Sequence, residues 1–181
     1  MIDWKYDDGG RADSGRRGPA GDCVTRAIAI ATPARCLSTS DGFPCAAFET
    51  PGRRYDWIYR ALFHRIKIEP TTGLILRRKS PKWGVPRRVY HPYLVERLGF
   101  TWTGIRKVGG SRETIPSCIT MRVRPEDLPD HSPMILRLNK HLCAVIDGVV
   151  HDLSDPSRNG TRCVYGYYYL KVDTRNESSV D

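Results

Sequence analysis

The chain has 181 residues, 29 of them Lys or Arg and 20 of them Asp or Glu, which gives a formal net charge of +9. A hydrophobic fraction of 40% and a charged fraction of 27% exclude a disordered chain. No apolar run approaches the roughly 18–20 residues that span a bilayer, and the N-terminus lacks the apolar segment of a secretory signal. We therefore expect a cytoplasmic protein without a membrane partner.

The N-terminal half predicts helices separated by loops. Residues 1–20 are rich in Gly, Asp and Arg and indicate irregular backbone. Asp22 is a candidate N-cap for an apolar helix over 23–32, which Pro33 ends. A helix this apolar is expected to be central and buried. Turn residues then predict a long loop over 33–52. Apolar periodicity predicts a second helix over 54–66, and an initial Pro and a following Gly predict a short third helix over 92–98.

The C-terminal half predicts antiparallel strands. Asp147 and Gly148 separate two apolar runs, which is a strong signal for a two-residue hairpin turn. Helices first and antiparallel strands second are typical of an α+β fold. We expect one domain over 21–172 and a polar tail over 173–181. The predicted strands cover 133–138, 141–146, 149–153 and 164–172.

The positive charge is concentrated in the middle third of the chain. Residues 53–112 contain 15 basic and 3 acidic residues, a net of +12, whereas the rest contains 14 basic and 17 acidic residues, a net of −3. Basic side chains interleaved with Trp83 and Tyr90 can bind phosphates and stack on bases, although a solvated surface is the simpler interpretation. The candidate anion-binding residues are Arg77, Arg78, Lys79, Lys82, Arg87 and Arg88.

A candidate catalytic group follows from the first helix and the hairpin. Cys23 begins the buried helix, whose positive N-terminal end favours the nucleophilic thiolate. In the register that the two-residue turn sets, His141 and Asp152 lie on one sheet face as diagonal neighbours, about 7–8 Å apart. If the helix packs on that face, the three residues supply a nucleophile, a base and a group that orients the base. Asp155 falls on the opposite face, and a one-residue bulge would make it the alternative.

The six cysteines are expected to be free thiols, because a chain without a secretory signal belongs in a reducing compartment. No spacing matches a zinc finger or ribbon, so we expect neither a metal nor a cofactor. The one metal alternative is a site formed by His141, Cys143 and Cys163.

Two segments resemble a known family. The helix sequence GDCVTRAIAIAT over 21–32 and the hairpin sequence HLCAVIDGVVHD over 141–152 resemble segments of papain-like cysteine peptidases. The nearest resemblance is to small bacteriophage and prophage proteins, which combine such a helix and hairpin with an L-G-x-x-W segment, here at 98–102. The resemblance covers roughly 20–32 and 54–170, and it implies a papain-like fold and a location in the cytoplasm of a bacterial host cell.

The resemblance also implies residue roles. Cys23 would be the nucleophile, His141 the general base and Asp152 the group that orients His141. Papain-like enzymes often complete the oxyanion hole with a Gln upstream of the Cys, and this chain contains no Gln. The oxyanion candidates are therefore the backbone N–H of Cys23 and the side chain of Arg17.

Two functions of different classes follow. The first is a thiol hydrolase that cleaves an amide or thioester bond in a peptide, isopeptide or other acyl substrate. The second is a non-catalytic binding protein of the same fold, which uses the basic segment 53–112 to bind nucleic acid or an acidic host protein. A steep salt dependence of nucleic-acid binding would distinguish the second from the first.

Overall fold

The architecture is mixed α+β. The computed structural model describes residues 3–32, 50–67, 80–105, 119–120, 133–159 and 162–170. Helices α1 (Cys23–Ala31), α2 (Pro51–Lys67) and α3 (Arg87–Pro92) precede most of the strands, and α3 continues into a π-helical turn at Tyr93–Arg97. A 3₁₀ turn at Pro81–Trp83 lies just before α3. No helix in these ranges is long and apolar enough to cross a bilayer.

The described strands form a single sheet. They are β1 (Trp4–Tyr6), β2 (Phe100–Gly104), β3 (Ile119–Thr120), β4 (Met134–Leu138), β5 (His141–Ile146), β6 (Val149–Asp152) and β7 (Cys163–Leu170). Six of them follow one another across the sheet in the order β1-β6-β5-β4-β7-β2, and β3 pairs with the beginning of β7. Neighbouring strands are antiparallel except β1, which runs parallel to β6.

Helix α1 is the centre of the helical layer, as its apolar sequence predicts. It packs against α2 and against β5. Ile28 of α1, Ile58 of α2 and Ala144 of β5 have no exposed surface. Complete burial of an isoleucine side chain contributes about 1.5–3 kcal/mol, so this contact anchors the helix on the sheet. A second apolar cluster, which includes Leu136 and Val145, covers the opposite sheet face.

The N-terminal segment is not irregular throughout, so the prediction for 1–20 is wrong at Trp4–Tyr6. These residues form β1 and add a parallel strand to the edge of β6. The backbone N–H of Asp7 then donates to the carbonyl of Asp152 over 2.9 Å. A three-residue strand is too short to show alternation in the sequence, and it forms because a sheet edge offers unpaired backbone groups.

Two helix boundaries also differ from the sequence pattern. Helix α2 begins at Pro51, ahead of the predicted start at 54. Helix α3 begins at Arg87, and Pro92 is its last residue rather than the first residue of a new helix. A proline fits the first turn of a helix best, because it lacks the N–H that the interior uses, and this preference misplaced the predicted start. Most of the predicted loop, 33–49, and the predicted tail, 173–181, lie outside the described residues.

Candidate active site

The structure brings Cys23, His141 and Asp152 together. Cys23 is the first residue of α1, His141 is the first residue of β5, and Asp152 is the last residue of β6. The Nε2 atom of His141 hydrogen-bonds to Oδ2 of Asp152, and the Cys23 thiol lies close enough to the same imidazole for each to shift the pKa of the other. Asp155 is engaged elsewhere, since its carboxylate accepts hydrogen bonds from the backbone N–H and the hydroxyl of Ser157, each 2.8 Å long.

The hairpin has the predicted register next to its turn, but the helix does not pack on the predicted face. Leu142 and Ala144 belong to the same apolar cluster as α1, whereas Cys143 belongs to the cluster on the opposite face. His141 and Asp152 still reach α1 because both are end residues of their strands. The alternation of side chains along a strand therefore predicted the contact of His141 with Asp152 correctly, but it predicted the wrong sheet face for the packing of α1.

The environment of Cys23 favours its thiolate. Burial by itself raises the pKa of the thiol, because the charged form loses water. The hydrogen bond and charge of His141 outweigh burial, with help from the N–H of Leu142 and the charge of Arg26, so the pKa of Cys23 lies below its ordinary value. Cys143 is the contrast, since complete burial raises its pKa well above the ordinary value. Only one of these two thiols is prepared for nucleophilic attack.

The environment of His141 favours its protonated form. Burial lowers the pKa of His141, but the hydrogen bonds to Asp152 and Cys23 more than compensate and raise it to about 9. Burial likewise raises the pKa of Asp152, yet the hydrogen bonds from His141 and from the backbone N–H of Leu153 bring it below its ordinary value. The three pKa shifts therefore all favour the charged forms, which are a thiolate, an imidazolium and a carboxylate.

Arg26 is a buried member of the site that the sequence analysis did not identify. Its side chain forms an ion pair with Asp22, and its Nη2 atom lies 3.3 Å from Oδ1 of Asp152. Only 5% of Arg26 is exposed, so these charges interact with little solvent screening. Arg26 thus connects the residue before Cys23 with the carboxylate that holds His141.

Asp22 occupies the N-cap position of α1 but does not cap the helix with its side chain. It has no exposed surface, and its carboxylate is occupied by Arg26, by the hydroxyl of Tyr55 and by Nε of Arg11 at 3.0 Å. The capping prediction failed because these stronger charged partners take the carboxylate oxygens. The four-residue spacing of Asp22 and Arg26 was the available sequence signal for the pair.

Cys23 and His141 border a cleft of about 670 Å³. A cleft of this size accommodates a small ligand or part of a peptide. Its other lining side chains are rich in basic and aromatic groups, and Trp83 at its rim is 68% exposed. Among the described lining residues there is no Asp or Glu. The basic and aromatic members are Trp83, Arg87, Tyr90, Arg137, Lys140 and Tyr165.

The two oxyanion candidates lie in different places. The backbone N–H of Cys23 is in the first turn of α1, where N–H groups have no partner within the helix. Arg17 does not line the cleft of Cys23 and instead borders a separate cavity beside Arg11 and Tyr59. The backbone around Arg17 is held beside that cavity because the Arg11 guanidinium donates to the carbonyls of Arg17 and Gly18, the latter at 2.7 Å.

The candidate anion-binding residues do not form one surface in the described part of the chain. Arg87 lines the cleft, Lys82 borders the separate cavity, and Arg88 is exposed outside both. The remaining three, Arg77, Arg78 and Lys79, lie outside the described residues. Binding of nucleic acid or an acidic host protein through this segment stays a prediction.

The metal alternative has no geometric support in the described ranges. Among these residues, no group of three or more His, Cys, Asp or Glu side chains is arranged to hold a metal ion, and this includes His141, Cys143 and Cys163. The described cysteines, which are Cys23, Cys143 and Cys163, are free thiols.

Comparisons of the chain with protein-family models, with curated proteins and with solved structures found no match. A functional assignment therefore depends on the geometry of the site itself.

Proposed function

We propose that this protein is a thiol hydrolase of papain-like fold that cleaves an amide or thioester bond. The juxtaposition of Cys23, His141 and Asp152 beside an open cleft carries the proposal. The placement of the cysteine at a helix start, the histidine at a strand start and the aspartate on the next strand supports the papain-like assignment.

The reaction uses the charges that the site already holds. The Cys23 thiolate attacks the substrate carbonyl carbon, which forms a C–S bond and moves negative charge to the carbonyl oxygen. The backbone N–H of Cys23 stabilises that oxygen. The His141 imidazolium then protonates the departing amine or thiol, and an acyl-enzyme remains. Water, deprotonated by His141, hydrolyses the acyl-enzyme and restores Cys23, while Asp152 holds the imidazole in place.

Selective alkylation tests the nucleophile. Iodoacetamide near pH 7 should modify Cys23 before Cys163, because the pKa of Cys23 is lowered by His141. Peptide mass spectrometry after short exposures measures the two rates. Equal rates at Cys23 and Cys163 in the native protein would contradict the assignment.

Turnover tests the hydrolase. An activated thioester should acylate Cys23, which intact-mass measurement detects as a transient adduct. Cys23→Ala should lower the rate of thioester hydrolysis at least about a thousandfold. Cys163→Ala is the matched control, since it removes a free thiol that is not hydrogen-bonded to His141. Hydrolysis that survives in Cys23→Ala would refute the proposal.

A further inference from the structure

Two arginines on the wall of the Cys23 cleft have no acidic partner within the described residues. Arg87 at the start of α3 and Arg137 in β4 both line the cleft. The ion pairs of the described chain involve other arginines, and the described lining of the cleft contains no carboxylate. Positive charge beside the reacting sulfur is therefore not neutralised by this part of the protein.

Aromatic side chains position both guanidinium groups. The Cζ atom of Arg137 lies 5.3 Å from the ring centroid of Tyr165, and that of Arg87 lies 5.2 Å from the ring centroid of Trp102. Against the effect of burial, Arg137 and Arg87 also lower the pKa of the Tyr90 and Tyr168 hydroxyls, so each cation lies near one of these hydroxyls. A guanidinium has five N–H donors, and these neighbours leave donors for a ligand.

The positive groups stand close to the nucleophile. Tyr90 lines the same cleft, and its hydroxyl is near enough to Cys23 and to Arg137 for both charges to act on it. Lys140, which is exposed, immediately precedes His141 and adds a third cation to the lining. A substrate bound at Cys23 therefore meets positive charge within the same cleft.

We propose that the cleft selects acidic acyl substrates, in which a carboxylate near the scissile bond binds Arg87 and Arg137. A planar guanidinium pairs with a carboxylate through two parallel hydrogen bonds, and two such groups lining one cleft give both affinity and orientation. This selectivity rests on the proposed function, because it concerns the same nucleophile and cleft.

Two small electrophiles that differ in charge test the selectivity. Iodoacetate and iodoacetamide react with a thiolate by the same substitution, in which a C–S bond forms and iodide leaves. Only iodoacetate carries a carboxylate. The quantity to measure is the rate constant of Cys23 with iodoacetate divided by its rate constant with iodoacetamide. Arg87→Gln with Arg137→Gln should lower this ratio by roughly tenfold, because two charge-assisted contacts are lost.

Arg88→Gln is the matched control, since Arg88 is exposed and adjacent to Arg87 but outside the cleft, and it should leave the ratio unchanged. Thermal unfolding of each variant verifies that the fold persists. Added NaCl should also reduce the wild-type ratio more than that of the double variant, since exposed charges are screened by salt.

The outcomes separate the two proposals. A ratio that the double variant does not change, with Cys23 still alkylated ahead of Cys163, overturns the acidic selectivity and leaves the thiol hydrolase in place. A Cys23 that reacts with neither reagent overturns both. An irreversible peptide electrophile offered in Asp and Asn versions extends the same comparison to a peptide, and the Asp version should react faster only when Arg87 and Arg137 are present.

Discussion

The proton between Cys23 and His141 governs the chemistry at the scale of single residues. In His141→Ala, the contributions that lower the pKa of Cys23 largely disappear while burial remains, so that pKa rises. Alkylation of Cys23 at pH 6–7 should then slow by roughly tenfold, because a smaller fraction of Cys23 is thiolate. A pH profile of the alkylation rate measures the shift.

The same pair predicts different behaviour of two reactions at alkaline pH. His141 loses its proton as the pH rises through about 9, so hydrolysis should decline there because no acid remains for the leaving group. Alkylation needs only the thiolate and should not decline. A parallel fall of both rates would show that unfolding, rather than the titration of His141, limits both reactions.

Arg26 gives a prediction about stability. Arg26→Met leaves the buried carboxylates of Asp22 and Asp152 without their common cation, which should cost about 3–5 kcal/mol in the free energy of unfolding. Arg60→Met is the control, because Arg60 is exposed and its pair with Asp56 should contribute less than about 1 kcal/mol. Urea denaturation measures both, and similar losses would mean that the buried network adds no particular stability.

At the scale of elements, the N-terminal segment packs closely against the start of α2. Gly10 has a φ of +86°, and a Cβ atom there would overlap the backbone of Pro51 and lie 2.6 Å from the amide nitrogen of Gly52. Gly10→Ala should therefore destabilise the protein by at least about 2 kcal/mol, from strain and displaced packing together.

Gly15→Ala isolates the backbone-strain part of that effect. Gly15 also has a positive φ, +78°, but no atom lies within 4 Å of the position of its Cβ. It should show only the backbone strain, about 1 kcal/mol. Thermal or urea unfolding compares the two variants, and equal losses would indicate that the contact between Gly10 and Pro51 is dispensable.

Elements with strong local signals were the ones that the sequence predicted well. The apolar run of α1, the periodicity of α2 and the hairpin turn at Asp147 all appear where expected. Strand β1 was missed because its pairing depends on a distant edge, and the boundary of α3 was misplaced because Pro92 is tolerated inside it. Local patterns contain no information about such tertiary contacts.

At the scale of the whole molecule, the site was partly predictable. The hairpin register predicted the contact between His141 and Asp152, but the meeting with Cys23 depends on the ends of β5 and β6, because α1 packs on the other sheet face. The contact of Arg26 with Asp152 and that of Arg137 with Tyr165 could not be predicted, because each joins residues that are far apart in the sequence. Their roles follow only from long-range packing.

The parallel strand β1 and the contacts of Arg26 have a consequence for biosynthesis. The hydrogen bond between Asp7 and His151 joins residues 144 positions apart, and that between Arg26 and Asp152 spans 126 positions. The N-terminal elements leave the ribosome long before their partners exist. Until β5 and β6 have been translated and docked, Cys23 keeps the reactivity of an ordinary thiol, and a chain that stalls before them lacks the histidine that lowers its pKa.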